Sequence, residues 1–218
     1  MRYSTILFDL DGTLLNTIDD LTDAVNYALS QNGLPEKSLP QVMASVGSGY
    51  ANLIGKVVPG GKESPHYDAV VRVFLEYYPI HSEDKTRPYD GIDAMLRELG
   101  QRGCKMAVIS NKGDAAVATL NRRFFGDWIS VAIGERVGMA RKPAPDAVFL
   151  ALELLGASRE GALYVGDSDV DIETAHNAGL PCLAVSWGFR PKELLLQCGA
   201  ENVVDTPQEA LAFLLAGE

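Results

Sequence analysis

Aspartates dominate the positions at which this sequence could do chemistry. Asp9-Leu10-Asp11-Gly12-Thr13 sets two acids just past a short apolar run, Thr5 to Phe8. Far along the chain, Gly166-Asp167-Ser168-Asp169-Val170-Asp171 follows a second apolar run, Ala162 to Val165. Between them come Ser110-Asn111, directly after Met106-Ala107-Val108-Ile109, and the segment Arg141-Lys142-Pro143-Ala144-Pro145-Asp146. Carboxylates gathered from Asp9 and Asp167 would repel one another unless a cation neutralised them. Oxygen ligands with no His or Cys at ligand spacing suit a hard ion, above all Mg²⁺. Lys142, biased toward an extended backbone by Pro143, offers a fixed ammonium that suits a phosphate. Each piece taken singly has an ordinary explanation: a turn, acids at a helix N-terminus, a capping pair, a solvated lysine. The shared position of the acids and of Ser110-Asn111 after separate apolar runs favours chemistry over those explanations, and beside such acids facing a phosphate one fixed cation at Lys142 makes sense.

The elements that would position these residues follow from apolar periodicity. Strands are expected at Thr5–Phe8, Met106–Ile109, Trp128–Ile133, Ala162–Val165 and Cys182–Val185. Helices are expected near 114–125, 145–155, 170–178, 191–197 and 207–215, with another carrying Ile92, Met95, Leu96 and Leu99 on one face. Apolar strands alternating with helices imply an α/β fold, a Rossmann-like parallel sheet covered on both faces. In such sheets ligands bind beyond the carboxyl ends of the strands, at a switch point, which is where all the candidate groups fall.

The stretch after the first acids has another texture. Leu21, Ala24, Val25, Ala28 and Leu29 recur at helical spacing, as do Tyr67, Val70, Val71, Phe74 and Tyr78, with short helices expected near 39–46 and 50–57. We read residues 16–85 as a small inserted all-α domain, and residues 1–15 with 86–218 as the α/β core. Within the insertion, Val46-Gly47-Ser48-Gly49-Tyr50 is either a loop with exposed amides and hydroxyls or a plain interhelical turn. It is no nucleotide loop, because Asn52 stands where a third Gly is needed and Gly55-Lys56 precedes Val57.

Composition narrows the partners. The chain has 218 residues with 29 acidic and 19 basic side chains, a formal net charge of −10, which argues against a nucleic-acid or anionic-membrane partner. The hydrophobic fraction of 47% allows a proper core without disulfides. Cys104, Cys182 and Cys198 are odd in number and lack metal-ligand spacing, so a reducing, cytoplasmic setting is expected. His66, His81 and His176 are scattered and read as surface or structural. The Met1–Asp9 stretch is too short in apolar residues for a signal-peptide core.

Four motifs together resemble the haloacid dehalogenase superfamily. Phe8-Asp9-Leu10-Asp11-Gly12-Thr13-Leu14, Val108-Ile109-Ser110-Asn111, Lys142-Pro143-x-Pro145 and Gly166-Asp167-Ser168-x-x-Asp171 are similar to its four motifs, in order and across almost the whole chain. The helical insertion resembles the family's cap, and the pattern is similar to the phosphoglycolate phosphatase group. Asn16-Thr17 departs from that group, which commonly has Asp-Ser there.

The resemblance implies a Mg²⁺-dependent phosphomonoester hydrolase. Asp9 would be the nucleophile that forms an aspartyl-phosphate, and Asp11 the acid and base. Ser110, Asn111, Lys142 and Thr13 would face the phosphoryl group. The metal would be held by Asp9, Asp167, Asp171 and Asp11, the last through its backbone carbonyl. Gly47, Ser48 and Tyr50 would contact the organic part of a small phosphorylated metabolite, with 2-phosphoglycolate the leading candidate. Pyrophosphate or a sugar phosphate is the alternative within the family, as phosphatase or mutase substrate; Thr13 favours a phosphatase over a mutase. Lys112 is a rival to Lys142. A phospho-acceptor signalling domain would use a similar residue set, but it is shorter and lacks the insertion. A monomer or homodimer is expected.

Overall fold

Short apolar runs separated by helices give the computed structural model its sheet; it describes residues 2–216. In chain order the first elements are β1 (Thr5–Phe8), β2 (Leu15–Asn16), α1 (Ile18–Gln31), α2 (Leu39–Met43), α3 (Tyr50–Val57), a 3₁₀ turn (Gly61–Glu63), α4 (Tyr67–His81) and β3 (Arg87–Pro88). Then follow α5 (Ile92–Gln101), β4 (Lys105–Gly113), α6 (Asp114–Phe124), β5 (Val131–Glu135), α7 (Asp146–Leu154), β6 (Ala162–Gly166), α8 (Asp169–Ala178), β7 (Cys182–Val185), α9 (Lys192–Gln197), β8 (Val203–Val204) and α10 (Pro207–Leu215). The backbone divides into two units, one ending at Leu15 and resuming at Pro88, the other Asn16–Arg87.

The larger unit holds a six-stranded sheet in the order β5-β4-β1-β6-β7-β8, parallel throughout. Side chains alternate between its faces. Ile6, Phe8, Met106, Val108, Leu163 and Val165 pack with Met95, Leu96, Leu99, Val117, Leu120 and Leu214 from α5, α6 and α10. Leu7, Ala107, Ile109, Ile133 and Tyr164 pack on the opposite face with Val148, Ala151, Ala175 and Ala178 from α7 and α8. Burial on both faces explains why these strands read as continuous apolar runs. Phe8 lies opposite both Val108 and Val165, so the residues that follow β1 and β6 emerge at one level. The chain builds leftward from β1 through β4 to β5, then crosses to β6, β7 and β8, which places a switch point at β1 and β6.

Three details differ from expectation. β4 continues through Ser110 and Asn111 to Gly113, with a register shift against β5 between Ile109 and Gly113. A polar Ser-Asn pair looks like a strand end, but the backbone stays extended past it and rejoins β5 at Gly113 opposite Glu135. β5 starts at Val131, because Trp128 and Ile129 belong to the approach, where Trp128 packs on the core. The two-residue strands β2, β3 and β8 are too short to show periodicity.

In the helical unit, α1 buries Ile18, Leu21, Ala24, Val25, Ala28 and Leu29, and α4 buries Val70, Phe74 and Tyr78. These stripes pack against each other, with α2 against α1 and α3 against α4. Asp20, almost fully buried in the first turn of α1, ties the far end of the unit to this pair. Its carboxylate accepts from the backbone N–H of Lys85 at 2.9 and 3.1 Å and from that of Thr86 at 2.8 Å. Among the described residues no helix is long and apolar enough to cross a membrane.

Removing the Asp20 carboxylate leaves the buried Thr86 N–H and the part-buried Lys85 N–H without that acceptor. Asp20→Ala is expected to lower the free energy of unfolding by about 1–3 kcal/mol, with Asp20→Asn intermediate. Urea melts measure this; an alanine variant as stable as the parent would contradict it.

Candidate active site

The site is assembled around one buried ammonium. Lys142 Nζ donates to Asp9 Oδ1 at 2.6 Å, to Asp171 Oδ1 at 2.7 Å and to the Tyr164 hydroxyl at 3.1 Å. Lys142 is held from behind by Asn111: its amide nitrogen donates to the Lys142 carbonyl at 3.0 Å, and its amide oxygen accepts from the Lys142 N–H at 2.9 Å. The side chain expected near substrate therefore orients the lysine here. The Lys142–Pro143 peptide is cis.

Asp171 comes from the first turn of α8. Ser168 caps that helix: its hydroxyl accepts from the Asp171 N–H at 3.3 Å and donates to Asp171 Oδ2 at 2.6 Å, and its own N–H donates to the same oxygen at 3.1 Å. A capping box thus fixes one carboxylate oxygen and turns the other to Lys142. Asp167, after β6, accepts from the Thr13 hydroxyl at 3.1 Å and from the Phe189 N–H at 2.7 Å. The Trp187 indole N–H donates to the Thr13 carbonyl at 3.0 Å.

Lack of a side chain matters at two glycines. Gly12 has φ +96°, and a Cβ there would sit 2.3 Å from Asp167 Oδ2; one on Gly188 would sit 2.3 Å from Asp167 Cβ and 2.4 Å from the Gly12 carbonyl oxygen. The loop after β7 can close on the acids only because position 188 carries no Cβ.

Charge is out of balance in this cluster. Burial pushes Asp9 well above the ordinary carboxylate range; Lys142 pulls it back, and Asp171 and Asp167 push it further up. Burial alone would pull the Lys142 ammonium down, but Asp171 and Asp9 outweigh it and hold the group well above its usual value. Asp9 is raised by its burial in spite of the lysine, and the lysine is raised because two carboxylates share it. Burial, then Asp171, pushes Asp167 up to about 7, against the N–H of Phe189 and the Thr13 hydroxyl. Tyr164 is likewise raised, first by burial, and stays a neutral phenol.

Asp9, Asp167 and Asp171 each offer an oxygen, and these atoms all lie within 4.8 Å of one another. Three buried carboxylates against one ammonium fit a hard divalent cation better than any softer metal. The Asp11 side chain stands outside this trio and pairs instead with Lys112 Nζ at 2.8 Å. Ser110 is buried, and its hydroxyl accepts from the Lys112 N–H at 3.2 Å. Gly47, Ser48 and Tyr50 lie in the other unit, the first two in the turn before α3 and Tyr50 as its first residue; Gly49 is the N-cap and the Ser48 carbonyl accepts from Asn52.

Sequence reasoning missed Tyr164 and the Trp187–Phe189 loop. Tyr164 sits in an apolar strand and would be noticed only by asking where its hydroxyl goes when buried. The loop contributes a backbone N–H, an indole and an absent Cβ, none of which forms an acidic or basic motif.

The excess charge has a measurable consequence. Asp167, raised to about 7 from an unfolded value near 4, binds its proton more tightly when folded. That stability is fully present below about pH 4 and is lost as pH rises through about 7. With chelator present, Tm is expected to fall from pH 5 to pH 8, and Mg²⁺ should raise it more at pH 8 than at pH 5. Equal Mg²⁺ shifts at the two pH values would contradict a cation seat on these acids.

Known proteins resemble this chain in sequence and fold. A family profile described as haloacid dehalogenase-like hydrolase matches residues 6–185. A phosphoglycolate phosphatase of Xanthomonas campestris pv. campestris is 33% identical over 192 residues, which is 87% of this chain and 86% of that protein. An N-acetylmuramic acid 6-phosphate phosphatase of Pseudomonas aeruginosa is 29% identical over 98% of this chain and 96% of its own length. Among solved structures, a protein of Lactobacillus delbrueckii subsp. bulgaricus, provisionally assigned as a phosphoglycolate phosphatase, superposes with a TM-score of 0.94 at 35% identity and covers 99% of this chain and 100% of its own. Four motifs, a matching sheet and full-length relatives agree: the chain belongs to the haloacid dehalogenase-like hydrolase family and is similar, within it, to phosphatases.

Proposed function

We propose that the protein is a Mg²⁺-dependent phosphomonoester hydrolase that works through an aspartyl-phosphate on Asp9. The observation that carries this reading is the Lys142 clamp, which holds Asp9 Oδ1 at 2.6 Å among the acids at the carboxyl ends of β1 and β6. A carboxylate meeting a phosphate dianion faces like-charge repulsion. Lys142 lowers it by placing positive charge beside the attacking group, and Asn111 keeps the lysine in place. The Asp9 carboxylate attacks phosphorus, the ester P–O bond breaks, and Asp11 gives its proton to the departing alkoxide. Asp11 then takes a proton from the water that attacks the acyl phosphate, releasing inorganic phosphate and restoring Asp9. The Ser110 hydroxyl, beside this path, is a donor for the transferring oxygens. Asp9, Asp167 and Asp171, with the Asp11 carbonyl, would hold Mg²⁺, which supplies charge neutralisation at the phosphoryl oxygens.

The leading substrate is a small phosphomonoester that also carries a carboxylate, 2-phosphoglycolate first. The relatives named for phosphoglycolate and for N-acetylmuramic acid 6-phosphate support this class, because both compounds combine a phosphomonoester with a carboxylic acid. A panel of phosphorylated acids, sugar phosphates and pyrophosphate, ranked by kcat/KM, should place 2-phosphoglycolate at or near the top; a preference for pyrophosphate would redirect the assignment.

Asp9→Asn removes the nucleophile while keeping its shape. It is expected to abolish phosphate release from p-nitrophenyl phosphate, by about a thousandfold or more, in a chain that still folds because Asp171 keeps the lysine paired. Full activity in that variant would end the mechanism.

A further inference from the structure

Lys112 is a second lysine of the site, and the chemistry above gives it no task. Its main chain is fixed on two sides. The β4–β5 ladder slips between Ile109 and Gly113, and in that irregular stretch the Lys112 N–H donates to the Ser110 hydroxyl at 3.2 Å. On β5, a Cβ at Gly134 would sit 2.6 Å from the Lys112 carbonyl oxygen and 2.5 Å from Asp114 Cα, so the neighbouring strand presses directly on this backbone. From this fixed base Lys112 Nζ reaches Asp11 Oδ1 at 2.8 Å, with the two side chains only 7% and 12% exposed. An ion pair that shielded is a defined arrangement, unlike a surface pair that samples many rotamers.

We propose that Lys112 is a positioning residue for Asp11: it holds the carboxyl group by Oδ1 and leaves the second oxygen to exchange the proton with the leaving group and then with water. Lys112 keeps its own protons throughout; the proton moves between Asp11 and the reacting oxygen. Proton transfer falls steeply when a carboxyl group leaves hydrogen-bond reach, so an Asp11 without this anchor would still be present but seldom in place. The inference rests on the reading of Asp11 as acid and base.

Its test is the dependence of the loss on the leaving group. An alkoxide such as glycolate needs a proton as it departs, whereas p-nitrophenolate needs little help. Lys112→Met is expected to lower kcat/KM on 2-phosphoglycolate by about tenfold to a hundredfold while changing kcat/KM on p-nitrophenyl phosphate by no more than about threefold, because kcat/KM reports phosphoryl transfer to Asp9 and not the later attack of water that both esters share. Lys112→Arg should recover part of the loss. In an Asp11→Asn background, Lys112→Met should add nothing further, because the group it positions is gone. Equal losses of kcat/KM on both esters, or additive losses in the double variant, would overturn the inference. So would a rise in KM for 2-phosphoglycolate with kcat unchanged, since that makes Lys112 a ligand for the substrate carboxylate. If Lys112→Met fails to fold, Lys112→Gln and Lys112→Arg carry the same comparison. A parent enzyme that hydrolyses neither ester would defeat the proposed function itself, and the inference with it.

Discussion

The ammonium of Lys142 holds this site together. Oxygens of Asp9, Asp167 and Asp171 lie within 4.8 Å of one another, and carboxylates that close repel unless positive charge stands among them. Breaking a buried pair of this kind typically costs about 3–5 kcal/mol because the partner is left charged and unsolvated. Much of the local fold secures the lysine. Asn111 grips its backbone from β4, Tyr164 accepts from its side chain on β6, and the capping box of α8 aims Asp171 at it. The parallel register of β1 with β4 and β6 delivers these groups at one level.

One lysine does not balance three acids. The raised Asp9 and Asp167 carboxyls express the remaining negative charge, and a divalent cation is its natural complement. This resolves an apparent conflict in the composition. A chain with net charge −10 looks unsuited to an anionic substrate, yet Asp9, Asp167 and Asp171 are the groups that would recruit the cation a phosphate needs. Net charge describes the whole surface; the site is governed by its local field.

Much of this was legible in the residues. Thr5–Phe8 and Cys182–Val185 are strands with the expected bounds, because each is an apolar run ended by an abrupt change of chemistry. The parallel sheet followed from the alternation of such runs with helices. The grouping of Asp9 with Asp167 and Asp171 followed from their positions after those runs, whereas Lys142 joined them through the charge such a cluster needs and through the family resemblance. What escaped is what motif reading does not register. Tyr164 hides in an apolar strand, Gly188 acts by lacking a side chain, and Phe189 acts through its backbone. The two-residue strands have no period to detect. Ser110 and Asn111 looked like the end of β4 because polar pairs commonly are; the ladder with β5 resumes only at Gly113, and no local pattern signals that.

The central claim is that Asp9 carries the phosphoryl group. Rapid mixing with 2-phosphoglycolate, acid quenching and borohydride reduction converts an acyl phosphate to an alcohol, which peptide mass spectrometry locates. The account predicts a homoserine at position 9 and an intact Asp11, Asp167 and Asp171. Reduction at any of those three, or no reduced residue during active turnover, would contradict it.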